Sequence, residues 1–409
     1  MSTVEEPKPI KLKSCPKKYY YGTHRVVSPE DTLKSIEDKL SIVGASDVRD
    51  LTPHDRIGIP VFSCRRVTAA PGASSIHSGK GLTHTQAKVS LLMEVYERYS
   101  AEPRGDGVIT ASYHEVKGSY PALRPSSLNP PRWIGDVDNV KLRWTWGWDI
   151  MRDEPILVPL NCVFHPYYPR DDVQVFRTNT NGLASGNTIE EAILHAVLEL
   201  IERDAWSIAE FTRRVGDEVD PSSDPLTSQV LSMFEEAGVK VTVRDITSDV
   251  GVTVVAAVSE DLKVEDPALL TIGLGCHLNP TIAVLRSLTE VAQSRIMQLH
   301  GGGRGAWRAE LLRQLGVERV KRINRHWFEE APNTKVVGEL KRMDTDDILA
   351  DLKRVLDLLR KAGFEHVAVV DLTRPEIGIP TVRVVIPGIE EYALDPERVG
   401  SRCLGALKR

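Results

Sequence analysis

Cysteine is scarce and scattered. The five in this 409-residue chain, Cys15, Cys64, Cys162, Cys276 and Cys403, include no CxxC pair and no histidine at zinc-ligand spacing. An odd, dispersed set argues against a disulfide scaffold or a zinc ribbon, and Cys276 reads as a small buried hydrophobe. Long apolar runs are missing too, so no segment crosses a bilayer, and 252–258 reads as a buried strand. Lys8, Lys11, Lys13, Lys17 and Lys18 make the start basic, but no apolar stretch follows as in a secretory signal; a cytoplasmic protein is expected. There is no positive excess: a net charge of −5 and a pI near 6.2 leave no electrostatic footprint for nucleic acid. Glutamine is sparse, a thermophile-like trait. A P-loop is absent, since Gly72 and Gly79 are separated by six residues and Lys80 is followed by Gly81. No Ser-His-Asp or Cys-His set has a defensible spacing.

What the chain does have is one plan used three times: a capping residue, eleven positions to a Glu, three more to a Glu or Gln. The stretches run Thr83 to Glu94 and Glu97, Thr188 to Glu199 and Glu202, and Asn279 to Glu290 and Gln293. Thr83 with Gln86 and Thr188 with Glu191 fit the capping box, while Asn279 precedes Pro280 at a first helical position. On helices started at those caps, each Glu sits about 16 Å along the axis and its i, i+3 partner shares the face. One ExxE alone is ordinarily a solvated face; three at matching offsets point to convergence. Carboxylates gathered at one depth repel unless cations lie between them, and hard oxygen ligands suit Mg²⁺. Glycines ahead of the first two helices, around Ser78, Lys80 and Asn187, fit an anion turned toward a helix start. Arg98, Arg203 and Arg286 lie beside the carboxylates, as phosphate clamps or as neutralising ion pairs. The economical reading is a multi-Mg²⁺ nucleotide site. The 41% hydrophobic content supports a substantial core.

Residues 1–70 read as an N-terminal segment, with a helix at 29–42 and a strand at 61–67, and 71–409 as the main domain. Strands are expected at 143–148, 155–159, 239–245, 253–258, 367–371 and 382–386, helices at 307–322 and 345–362 within a helical segment 301–365, and a surface linker at 220–224. The run 301–305 reads as a helix-ending loop or lid, and Arg374 and Glu376 as candidates for a substrate face. Strands without regular βαβ alternation imply a mixed α+β fold rather than a Rossmann sheet.

These residues carry a family resemblance. Ser78-Gly79-Lys80-Gly81 with Glu94-Val95-Tyr96-Glu97-Arg98, Asn181 to Thr188 with Glu199-Leu200-Ile201-Glu202-Arg203-Asp204, and Ser287 to Arg295 closely resemble the YcaO family. The likeness extends to Val370-Asp371-Leu372-Thr373 and Ile386-Pro387-Gly388-Ile389-Glu390. Gly22-Thr23-His24-Arg25 and the stretch Tyr392 to Gly400 resemble an archaeal, thioamide-forming subgroup, methanogenesis marker protein 1. The resemblance implies a YcaO-type fold in which 71–409 is an ATP-binding catalytic domain and three carboxylate-bearing helices surround an ATP/Mg²⁺ site. It places metal ligation on Glu94, Glu97, Glu199, Glu202, Glu290 and Gln293, and nucleotide contacts on Ser78, Lys80, Asn187, Arg98, Arg203 and Arg286. The implied chemistry is ATP-dependent O-phosphorylation of a peptide backbone amide. Sulfide as nucleophile gives a thioamide, and the subgroup implies thioglycine in the methyl-coenzyme M reductase alpha subunit. Sulfur would come as sulfide or from a partner such as a TfuA-like protein; a homodimer is a further expectation. The chain ends without the proline-rich tail frequent in azoline-forming members, which favours the thioamide branch. An azoline-forming cyclodehydratase and a non-catalytic scaffold with exposed Glu faces remain the alternatives.

Overall fold

The computed structural model describes residues 7–105, 107–300 and 306–408, with backbone only at 306 and 307. An irregular strap leads into helix α1 (Pro29–Ile36), capped by Ser28. The helix expected to reach 42 ends early in a 3-10 turn, Glu37–Lys39, and Gly44 at φ +63° reverses the chain into β1 (Ala45–Asp50). Then come β2 (Val61–Arg66), β3 (Ile76–Lys80) and α2 (His84–Ser100). They are followed by β4 (Ile109–Ala111), α3 (Tyr113–Val116), β5 (Leu142–Asp149), β6 (Glu154–Pro159), β7 (Leu183–Ser185) and the long α4 (Ile189–Thr212). A third run comprises β8 (Glu218–Asp220), α5 (Pro225–Ala237), β9 (Val239–Asp245), β10 (Val254–Asp261), β11 (Ile272–Cys276) and α6 (Pro280–Leu299). After α7 (Ala306–Leu315), α8 (Val317–Ile323) and α9 (Arg325–Phe328) come β12 (Thr334–Val336), α10 (Ile348–Lys361), β13 (Ala368–Asp371), β14 (Thr381–Val385) and α11 (Ser401–Ala406).

The expected mixed α+β architecture is present. One sheet has the order β1-β2-β3; a second runs β4-β5-β13-β14-β7, with β6 also on β5; a third runs β11-β10-β9-β8-β12. Pairing is antiparallel except where β12 joins β8 in parallel. A further expectation is corrected. The single helix at 307–322 is broken at Gly316, whose φ of +77° separates α7 from α8. The surface linker expected at 220–224 joins β8 to α5 with Ser222 and Ser223 exposed, but as a capped turn: Pro221 is buried, and Asp224 accepts from Leu226 N and Thr227 N at the start of α5. The run 301–305 lies outside the described residues.

Each of the three long helices lies on its own sheet. Leu91, Leu92, Val95 and Tyr96 of α2 pack with Ala45 and Cys64 of the first. The third sheet is covered on both faces: Val254, Ala256 and Val258 join the core around α4, while Val255 and Ala257 meet Ala283, Val284, Leu288 and Val291 of α6. The run 254–258 is therefore apolar throughout instead of alternating. The other side of α4 meets Val382 and Val384 of β14. No described helix is long and apolar enough to cross a membrane.

Candidate functional site

The same local unit is built three times: β3 into α2, β7 into α4, and β11 into α6. All three starts are capped as expected, with Thr83 accepting from Gln86 N, Thr188 from Glu191 N, and Asn279 from Thr281 N. The reciprocal half of the capping box falls one residue early. Gln86 accepts from Leu82 N and Glu191 from Asn187 N rather than from the cap itself. Gly81 and Gly186, each two residues before a cap, make close contact with the first helical turn. A Cβ on Gly81 would lie 2.5 Å from Gln86 Cβ, and one on Gly186 2.6 Å from Ala192 N. Neither has a positive φ, so these two glycines serve close packing of strand end on helix start.

This construction brings all twelve sequence-selected residues to the wall of one cavity of about 360 Å³. Offset eleven contributes Glu94, Glu199 and Glu290; offset fourteen contributes Glu97, Glu202 and Gln293. Offset seven, not singled out as a tier in the sequence, adds Ser90, His195 and Arg286 to the same wall. Ser78 and Lys80 enter from β3. Lys80 Nζ donates to Glu290 Oε2 at 2.9 Å and Gln293 Oε1 at 3.1 Å, while Gln293 Nε2 donates to Ser78 Oγ at 2.9 Å. Arg98 pairs with Glu97 at 3.1 Å, and Arg203 with both Glu199 at 3.5 Å and Glu202 at 3.4 Å. Asn187 lines the cavity with its side chain already engaged, donating to Glu191 and accepting from Thr32. Arg374 and Glu376 are elsewhere: Arg374 donates to the Glu102 carbonyl, and Glu376 pairs with Arg104 and accepts from Tyr99.

The crowding is visible in the proton affinities. Burial, then the charges of Glu199 and Glu94, push Glu97 up to about 8 against the opposing Arg98. Glu202, 2% exposed, is raised by burial and by Glu290 and Glu199. Burial also acts to raise Glu94 and Glu290, but is outweighed, by His77 and Arg98 for the first and by Lys80 and Arg203 for the second; both end below the usual carboxylate range. Glu202 Oε2 and the Nε atoms of Arg203 and Arg286 are buried without a hydrogen-bond partner among the described residues. Unsatisfied carboxylate oxygen and guanidinium nitrogen on one wall fit a ligand carrying both cations and oxyanions.

Sequence reading missed the cavity's cover. Gly22, Thr23, Arg25 and Val27 of the strap line it. The strap is held by Gln86 Nε2 donating to Tyr19 Oη and the Tyr21 carbonyl, and by Val26 N donating to Glu191 Oε1. Glu191 therefore anchors the strap as well as the helix start. The motif Gly22-Thr23-His24-Arg25 is the sequence signal of this cover.

A family model described as YcaO cyclodehydratase, ATP- and Mg²⁺-binding, matches residues 78–390. An uncharacterized protein of Methanothermobacter thermautotrophicus is 49% identical over 388 residues, 94% of this chain and 99% of the relative. An uncharacterized protein in the tfuA 3′ region of Rhizobium leguminosarum bv. trifolii is 27% identical, covering 90% of this chain and 88% of its own. Among solved structures, YcaO from Methanopyrus kandleri bound with AMPPCP and Mg²⁺ is similar with a TM-score of 0.79 and 32% identity, over 95% of this chain and 98% of that one.

Proposed function

The chain belongs to the YcaO family of ATP- and Mg²⁺-dependent enzymes, which activate backbone amides, and from that premise we propose that it installs a thioamide in a peptide backbone. The observation that carries this reading is the convergence of Glu94, Glu97, Glu199, Glu202, Glu290 and Gln293 from three separate helices on one cavity, with Glu202 Oε2 left unsatisfied. Those six side chains would hold Mg²⁺, which when bound neutralises phosphate charge and the developing oxyanion. Ser78, Lys80, Asn187, Arg98, Arg203 and Arg286 would contact the nucleotide, Asn187 also tying the α4 start to α1.

The reaction needs no side-chain nucleophile. Hydrosulfide adds to the amide carbonyl, the resulting oxyanion takes the terminal phosphoryl group of ATP to leave ADP, and phosphate departs with the former carbonyl oxygen as C=S forms. An amide oxygen is a poor leaving group and phosphate a good one, so the nucleotide makes the exchange feasible. The relative from the tfuA 3′ region supports sulfide delivery by a TfuA-like partner. The source of the methanogen relative supports a glycine of the methyl-coenzyme M reductase alpha subunit as substrate.

The family description as a cyclodehydratase favours one second reading, azoline formation on Cys, Ser or Thr peptides. Incubation with ATP, Mg²⁺, sulfide and either a glycine-bearing or a Cys-containing peptide separates the two by mass. Exchange of oxygen for sulfur is expected; loss of water without sulfur uptake would overturn the thioamide reading. Calorimetry with Mg-ATP tests the site itself: Glu199→Ala and Glu202→Ala should abolish measurable binding, and unchanged affinity would remove the cavity from consideration.

A further inference from the structure

A second cavity, of about 40 Å³, adjoins the first and has room for about three water-sized particles. Asn181 and Leu200 line it, while their near neighbours Leu183 and Glu199 line the larger cavity, and Gly182 N donates to Glu199 Oε2 at 3.2 Å. The seam between β7 and α4 therefore faces both.

Two buried arginines line the small cavity, and they are satisfied differently. Arg398 is complete: it pairs with Glu391, its Nε donates to the Asn129 carbonyl at 3.1 Å and its Nη2 to the Leu128 carbonyl at 2.7 Å. Asn181 Nδ2 also donates to Glu391, at 3.0 Å, so that carboxylate is fully engaged. Arg383, on β14 and 5% exposed, has no carboxylate within ion-pair distance among the described residues. Its Nη1 and Nη2 donate to the carbonyl and Oδ1 of Asn179 at 2.9 and 3.0 Å, and its Nε is buried without a hydrogen-bond partner among those residues. An unpaired buried guanidinium is costly, and burial pulls Arg383 down to about 10, where it is still cationic at neutral pH. The charges of Glu199 and Glu97 reach it across the seam.

Cys162 lines the same cavity, and burial pushes its thiol up to about 11, so it stays S–H and does not compete with an anion for the guanidinium. Phe176, Leu200 and Ile389 supply apolar wall. One weakly hydrated guanidinium in a small, partly apolar cavity suits a small, soft, singly charged anion. The thioamide reaction consumes one such anion, hydrosulfide.

We propose that this cavity is the hydrosulfide site, with Arg383 as the residue that binds the sulfur nucleophile beside the carboxylate tiers. The inference rests on the thioamide reading and deepens it by giving the nucleophile a place. The held sulfur attacks the amide carbonyl carbon: a C–S bond forms, the C=O π pair moves to oxygen, and that oxygen takes the terminal phosphoryl group of ATP. Cleavage of the C–O bond then releases phosphate, which carries away the former S–H proton.

Thioamide formation by the full chain, with ATP, Mg²⁺, a glycine-bearing peptide and a range of sodium sulfide concentrations, tests it by mass spectrometry. Arg383→Gln should raise the KM for sulfide about ten- to hundredfold, the loss expected for one charge-assisted contact, while the KM for ATP stays within about twofold. Arg383→Lys keeps the charge without the fork and covers the case in which the Gln variant does not fold; it should raise the sulfide KM severalfold with ATP again unmoved. Bromide, a monatomic anion similar in size to hydrosulfide, should inhibit the wild-type chain competitively with sulfide and not with ATP. A sulfide KM unchanged in both variants, sulfide and ATP KM values that move together, or bromide inhibition that sulfide does not relieve would overturn the assignment. A wild-type chain that takes up no sulfur while closing azolines on a Cys-containing peptide would instead overturn the thioamide reading, so the two failures are distinguishable.

Discussion

Glu97 shows how one side chain is set between stability and ligand binding. Its environment favours the neutral carboxyl because burial and two neighbouring carboxylates oppose ionisation. Glutamine is close in shape to that neutral form, so Glu97→Gln should change the stability of the ligand-free protein by less than about 1 kcal/mol. The same substitution removes a potential anionic oxygen from the cavity wall and, on the proposed function, should abolish most of the thermal shift produced by Mg-ATP. Melting curves with and without Mg-ATP check both halves: a variant with the full shift would take Glu97 out of the ligand set. The carboxylates were legible in the sequence because their offsets repeat. The pairing of Lys80 with Glu290 and Gln293 was not, because those groups are about two hundred residues apart and meet only through the packing of α6 beside β3.

The strand-to-helix unit was half legible at the scale of the element. Caps at Thr83, Thr188 and Asn279 and the strand at 239–245 follow from local chemistry, and local chemistry is visible in a sequence. The close contact of Gly81 and Gly186 with the first helical turn is not legible in the sequence, since close approach of backbones depends on tertiary contacts. Gly275 on β11 makes the point most sharply: a Cβ there would overlap the Ala283 carbonyl oxygen of α6. Gly275→Ala should cost about 2–3 kcal/mol, since the obstacle is helix backbone rather than a flexible side chain. Gly118, with nothing within 4 Å of its would-be Cβ, is the control, and Gly118→Ala should be near neutral in the same denaturant titration. Equal midpoints for the two variants would mean that α6 does not pack on β11 this tightly.

At the scale of the whole molecule, the cavity exists only where three sheets, their helices and the strap are docked together. The strap carries a pH dependence of its own. Burial, then Lys17, lowers His24 from 6.5 to about 4 against the opposing charge of Asp344, and burial holds His277 well below its usual range beside it. The unfolded imidazoles take up protons that the folded ones refuse, so this contribution to stability is present above about pH 6.5 and is lost as pH falls toward 4. Hydrogen exchange over 15–27 should therefore quicken between pH 7 and pH 5, once corrected for intrinsic rates, and His24→Gln should flatten the change. Ligand binding pulls the other way. A nucleotide that touches α2, α4, α6 and the strap binds only the assembled state, and at a hundredfold excess over its dissociation constant it stabilises that state by about 2.7 kcal/mol. Mg-ATP should then slow exchange in all four segments together, although they belong to different layers and are scattered through the chain. Protection confined to one helix would mean that the carboxylate tiers do not act on a common ligand.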